Sequence, residues 1–212
     1  MRKILLAVGL LTCVFAAPVA AQDSFSAYTR TDNGNCTVLE EEMDPAYYGY
    51  AVCPGYDGWV LHVDGGEHGQ RSTFRMDAVP IPEDQKPTVF NYPFSRGNFG
   101  SFYSVIEWRT RGEGGPAYAA IHRYSGVRPI EGGLSWRQVS TLTVSALRAA
   151  EAGGTCMVAH IEASTLNHAN EIARDAADRI APTFTCGTDR ALLINADYPD
   201  VDAAINGRSY DR

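Results

Sequence analysis

Four cysteines remain once the first 21 residues are set aside: Cys36, Cys53, Cys156 and Cys186. A fifth, Cys13, lies inside that leading segment. An even set in an exported chain reads as two disulfides, and two crosslinks restrict a fold more than any local propensity does. Three pairings are open. The local one, Cys36–Cys53 with Cys156–Cys186, is favoured because each pair sits within one supersecondary unit and closes its loop at low entropic cost. In the chain-entropy account, a bridge closing about 15 residues is worth roughly 3 kcal/mol. A metal site built from all four would call for C-x2-C pairs, which are absent. A thiol nucleophile explains an even set in an oxidising compartment less well than bridges do.

The export that makes those bridges sensible is read from the N-terminus. Met1-Arg2-Lys3 is a short positive segment, Ile4 to Phe15 an uncharged apolar run, and Ala16-Ala17-Pro18-Val19-Ala20-Ala21 a small-residue stretch. That order is the layout of a cleavable secretory signal, with Val19 and Ala21 at the small positions before the cut. The apolar run is too short for a retained membrane anchor, which needs roughly 20 apolar residues. A lipid-anchored alternative at Cys13 is disfavoured by Thr12 just before it and by the apolar run continuing past it. The expected location is therefore periplasmic or secreted.

Of the 212 residues, 191 remain after residue 21. The expected organisation is a signal over 1–21, one domain over 22–190, and a C-terminal tail over 191–212, disordered from about 206. A chain of this length buries roughly 70% of its unfolded surface, enough for a true core. The mature part loses Arg2 and Lys3 and no acid, leaving 16 basic against 25 acidic residues and a formal charge of −9 in place of −7. Such a charge repels nucleic-acid phosphates and anionic headgroups, so neither nucleic acid nor, after cleavage, membrane insertion is expected.

Short runs of β-branched and aromatic residues, punctuated by Gly, Pro, Asn and Asp, predict strands near 36–40, 47–53, 58–63, 71–76, 102–110, 117–124, 138–145 and 156–163. Gly112-Glu113-Gly114-Gly115-Pro116 reads as the turn of a hairpin between two of them. Residues 78–101, with Pro80, Pro82, Pro87 and Pro93, read as a long connection. One helix follows, capped by Asn167 or Asn170, with Ile172, Ala173, Ala176, Ala177 and Ile180 as its apolar stripe. Arg174–Asp178 and Asp175–Arg179 are spaced as i,i+4 pairs on its wet face, and Pro182 ends it. Ser140 to Ala152 could form strand or helix, with Thr141, Thr143 and Val144 favouring strand at its start. The fold class is α+β: mostly antiparallel sheet with one C-terminal helix packed on it, stapled by disulfides.

Four phrases together resemble a family of small exported bacterial proteins of unknown function. They are Cys53-Pro54-Gly55-Tyr56 with Gly58, Ile106-Glu107-Trp108-Arg109, Gly153-Gly154-Thr155-Cys156 with Val158-Ala159, and the stretch from Asn167 to Asp178. The resemblance covers roughly residues 28 to 190. It implies four structural cysteines and carries no activity, cofactor or catalytic residue.

No phosphate loop, dinucleotide fingerprint, haem motif or hydrolase elbow is present. His62-Val63-Asp64-Gly65-Gly66-Glu67-His68 is similar in spacing to an inverted zinc-peptidase motif. Asp64 stands where its first His belongs, however, and Gly65-Gly66 opposes the required helix, so a hairpin turn is the better reading. Asp197, Asp200 and Asp202 lack the calcium-loop pattern and read as solvated charge. No metal or other cofactor is expected. The aromatics Tyr47, Tyr48, Tyr50, Tyr56 and Trp59 around the first bridge read as core rather than a sugar- or peptide-binding face. Glu107, Arg109 and His122, on the two strands of the predicted hairpin, are the candidate binding residues, although alternation onto the wet face of the sheet, with Glu107 and Arg109 as ordinary surface charges, is the better reading; no residue is assigned as catalytic. The leading function is a non-catalytic exported module (binding, inhibitor or envelope-accessory), with an unknown protein or small molecule as partner. The alternative is a periplasmic hydrolase using Glu107 and His122.

Overall fold

The structure, a computed structural model, describes residues 23–32, 34–40, 49–66, 69–86, 99–130, 135–148 and 155–210. Within them the chain builds β1 (Ser24–Arg30), β2 (Thr37–Glu40), β3 (Tyr50–Pro54), β4 (Val60–Gly66), β5 (Gly69–Arg75), β6 (Phe99–Arg111), β7 (Ala117–Pro129), β8 (Trp136–Leu147) and β9 (Thr155–Ile161). The helix α1 (Ala169–Arg179), strand β10 (Leu192–Ile194) and short helix α2 (Val201–Gly207) complete it.

Each strand expected from sequence is present. One more precedes them: β1 alternates Phe25, Ala27 and Thr29 with Ser24, Ser26, Tyr28 and Arg30, a period-two pattern. Ser140 to Leu147 is strand, the C-terminal part of β8; the rest of the ambiguous segment, apart from Arg148, lies outside the described residues. The strands form two sheets. A six-stranded one runs β1-β6-β7-β8-β9-β10, and a four-stranded one runs β2-β3-β4-β5. All neighbours are antiparallel except β9 and β10, which are parallel and joined through α1. Parallel strands need a crossover, and α1 supplies it.

Period-two alternation sends the side chains of β6 and β7 in two directions. Ile106, Trp108 and Ala120 join Cys53, Trp59, Leu61, Val63 and Phe74 in one buried cluster, so the two sheets stack face to face. The seam is tight at Gly69, whose φ is +102° and where a Cβ would lie 2.7 Å from the Tyr124 hydroxyl and 3.0 Å from Gly100 N. On the other face, Ala119, Ile121, Leu142, Val144, Ala159 and Ile161 share a second cluster with Ala169, Ala173, Ala176 and Ala177 of α1. Small alanines let a helix come close. Tyr50 and Trp59 are core, as expected of aromatics near the first bridge; Tyr47 and Tyr48 lie outside the described residues.

The chain from residue 191 differs from the tail read in the sequence. Leu192 and Ile194 of β10 are buried beside β9, Val201 and Ala204 of α2 enter the same cluster, and Tyr210 bridges back to Leu192. An apolar run of three residues suffices because β9 offers it a ready edge. A second helix therefore joins the expected one. Its Asp200 is an N-cap, accepting from Ala203 N at 2.7 Å, and Asp202 pairs with Arg179 at 2.5 Å, so two of the three tail aspartates have structural partners.

The disulfides are the local pairs: Cys36–Cys53, 17 residues apart, and Cys156–Cys186, 30 residues apart. The second ties the start of β9 to the chain beyond α1 and locks the crossover. Replacing Cys156 and Cys186 together by serine is expected to lower the unfolding free energy by about 3–4 kcal/mol, read as a lower urea midpoint. A loss under about 1 kcal/mol would show that packing of α1 holds the crossover without the bond.

Candidate functional site

β6 carries Glu107 and Arg109 two residues apart, hence on one face, toward α1. Arg174 Nε donates to Glu107 Oε1 at 2.7 Å and its NH2 group to Oε2 at 3.2 Å. Arg109 forks onto Asp178, with Nε to Oδ1 at 2.8 Å and NH2 to Oδ2 at 2.7 Å. The expected Arg174–Asp178 pair along the helix is therefore replaced by two pairs across to the strand. The reason is metric: four helical residues advance about 6 Å and two strand residues about 6.8 Å, so two opposite charges on each element come into register. The other helical pair, Asp175–Arg179, is formed at 2.9 Å.

β1 closes the network from the side. Its Ser26 hydroxyl donates to Glu107 Oε1 at 2.5 Å and accepts from Arg109 NH1. Tyr118 of β7 donates to Asp178 Oδ1 at 2.6 Å. Burial and that carboxylate push the Tyr118 phenol above its ordinary pKa. Burial works against the Arg109 cation, and Asp178 outweighs it, so its pKa is raised. Arg174 is raised chiefly by its hydrogen bond to Glu107. Glu107 is thus held between two neighbours on its inner oxygen and one on the other, and the arginines stay charged at any pH the fold survives.

His122 is not part of this arrangement. It stands opposite Ile106 in the β6–β7 register, and Glu107 stands opposite Ile121, so the two project from opposite faces of the sheet. His122 stacks on Phe102 at 4.5 Å between ring centroids, and its Nε2–H donates to Tyr103 O at 2.7 Å. A carbonyl can only accept, which assigns the proton to Nε2. Glu107 and Arg109 are brought together; Glu107 and His122 are separated by the thickness of the sheet. One acid–base site cannot contain both.

Beside the Glu107–Arg174 pair lies a cleft of about 230 Å³ lined by Tyr28, Tyr103, Val105, Ile121, Leu142, Arg123 and Asn170. Tyr28 and Tyr103 are 57% and 50% exposed and Val105 40%, which makes one wall aromatic and apolar yet open to solvent. Asn170 was a candidate helix cap, but α1 begins after His168 without a side-chain cap, and Asn170 Oδ1 accepts from Arg123 NH2 at 2.9 Å. The sequence marked Glu107 and Arg109. It did not mark Tyr28, Arg123 or Arg174 as neighbours of theirs, although the alternation in β1 was a readable signal for the first.

A second cleft, about 260 Å³, opens between the sheets beside the Cys36–Cys53 bridge and is lined by Val38, Ala51, Leu61, Val63 and Phe102 among others. Among the described residues its wall carries no charged side chain. The His62 segment forms the β4–β5 hairpin, with Glu67 and His68 outside the described residues. His62 is buried. Ile81 N donates to the Tyr50 hydroxyl at 3.0 Å, that hydroxyl pairs with His62 Nδ1 at 2.6 Å, and Nε2–H donates to Asp77 O at 2.7 Å. Both ring nitrogens are engaged within the protein, and Asp64 is taken by Arg71 and Lys86.

No family model matches the chain, and no curated protein or solved structure does either. No helix among the described residues is long and apolar enough to cross a membrane.

Proposed function

We propose that the chain is exported, loses its first 21 residues, and acts in the periplasm or outside the cell as a non-catalytic module. Its working surface is the Tyr28–Tyr103–Arg174 cleft, and α1, packed on the six-stranded sheet, forms one wall of it. The observation that carries this reading is the floor of the cleft. Its one carboxylate among the described residues, Glu107, accepts from Ser26 and twice from Arg174, which suits it to hold a wall in place and not to take a proton from a substrate. Open aromatic and apolar surface beside a fixed polar group is the usual make-up of a small-ligand site. Two disulfides support an oxidising compartment. The resemblance to small exported bacterial proteins points the same way.

The test is native mass spectrometry of the protein recovered from its export compartment. A small-molecule adduct is expected on the wild type and is expected to be lost in Val105→Trp, which fills the cleft from a side chain already 40% exposed. An adduct that survives Val105→Trp would move the site elsewhere. Hydrolysis of an ester, peptide or glycoside panel that disappears in Glu107→Gln would replace the binding reading with an enzymatic one.

A further inference from the structure

Among the described residues, the ionisable side chains of the cleft, apart from the two tyrosines, are Glu107, Arg123 and Arg174. Arg174 neutralises Glu107. Arg123 has no such counterpart: NH1 donates to Ser140 Oγ at 2.8 Å and NH2 to Asn170 Oδ1 at 2.9 Å, and among the described residues these two neutral oxygens are its only partners. Two of its five N–H groups are used, leaving three. Behind the cleft, Arg109 and Asp178 cancel each other. A half-buried guanidinium with an excess of one positive charge therefore faces an open cavity in a chain whose formal charge is −7. Leaving a cation partly desolvated without a counter-ion is costly, and the missing partner is an anion.

The surroundings narrow its chemistry. The excess is a single positive charge, so a monoanion balances it, whereas a dianion such as a phosphate monoester would bring one negative charge more than the cleft offsets. A guanidinium fork matches the two oxygens of a carboxylate. Val105, Ile121 and Leu142 supply apolar lining beside Tyr28 and Tyr103, and about 230 Å³ holds little more than one ring or a short chain. We propose that the cleft takes a small organic monocarboxylate, its acid group on Arg123 and its flat or apolar body against Tyr28 and Tyr103. This rests on the binding reading above and names the ligand class for the same site.

The experiment titrates the mature protein with 3-phenylpropionate, with its neutral amide 3-phenylpropanamide, and with phenyl phosphate, following amide and arginine Nε–H signals by NMR. The acid is expected to shift Arg123, Val105 and Tyr103 signals and to bind at least about tenfold more tightly than the amide, weakening as salt is raised. Arg123→Gln is expected to bring the acid down to the level of the amide, and Arg123→Lys, which keeps the charge and loses the fork, to fall between. Should Arg123→Gln fail to fold, the wild-type comparison of acid with amide decides by itself. Equal binding of acid and amide at the cleft overturns the carboxylate and leaves the binding reading standing. Tighter binding of phenyl phosphate also overturns it. If no probe shifts the cleft signals, the inference falls with the site.

Discussion

Between about pH 7 and about pH 4 the protein is expected to lose about 3 kcal/mol of folding stability through one side chain, His122. Burial among Phe74 and Phe102 pushes its pKa down to about 4, and the carbonyl of Tyr103 offsets only part of that. The unfolded chain takes up the proton near the ordinary value of about 6.5, and the folded chain does so only near 4. In the interval the unfolded state holds more protons. Stability therefore rises with pH there, is complete above the unfolded value, and is lost as pH falls toward the folded one. His62, lowered by its own burial, adds in the same direction. The check is urea denaturation at both ends of the interval for the wild type and for His122→Leu. The variant should show a much flatter acid limb, and identical limbs would clear His122 of the role. An NMR midpoint near 6.5 for the His122 ring would do the same.

The second large effect concerns the network under the cleft. Arg109→Met is expected to cost about 3 kcal/mol, because the half-buried Asp178 carboxylate would be left, among the described residues, with Tyr118 as its side-chain partner. Removing both charges in Arg109→Met/Asp178→Leu should cost clearly less than the sum of the single changes, since no charge is then stranded. Denaturant unfolding of the three variants measures this directly. Strictly additive losses would mean that the pair is solvated and holds nothing together. The outcome also bears on the cleft, because α1, which carries Arg174 and Asn170, is tied to β6 through these pairs.

How much of this was legible beforehand depended on whether the controlling interaction was local. The strands from 36 to 163 and the helix before Pro182 follow from alternation, helical spacing and turn residues, all of which act over a few positions. The local disulfides follow from loop entropy, which also depends on separation along the chain. Where a partner came from far away, the reading stopped. Ala191 to Ile194 is too short to declare itself a strand, and only the waiting edge of β9 makes it one. Arg174 and Asp178 have the spacing of a helical pair, and only β6, some 67 and 69 residues earlier, draws them apart.

The same division holds for the site. The leading segment, with its charge, apolar run and small residues, by itself determines the expectation of export, and the expected cleavage would take Cys13 with it and leave an even set of four cysteines. Alternation alone places Glu107 and Arg109 on one face. Which residues of β7 stand behind them was left to pairing register, and a one-residue change of register sends a side chain to the other side of the sheet. With Ile121 opposite Glu107, the apolar side chain joins the cleft and His122 is turned into the seam between the sheets. Tertiary structure thus separated the pair that a sequence could only place near each other, and it put Arg123 in the lining of a cleft where, among the described residues, its partners are two neutral oxygens.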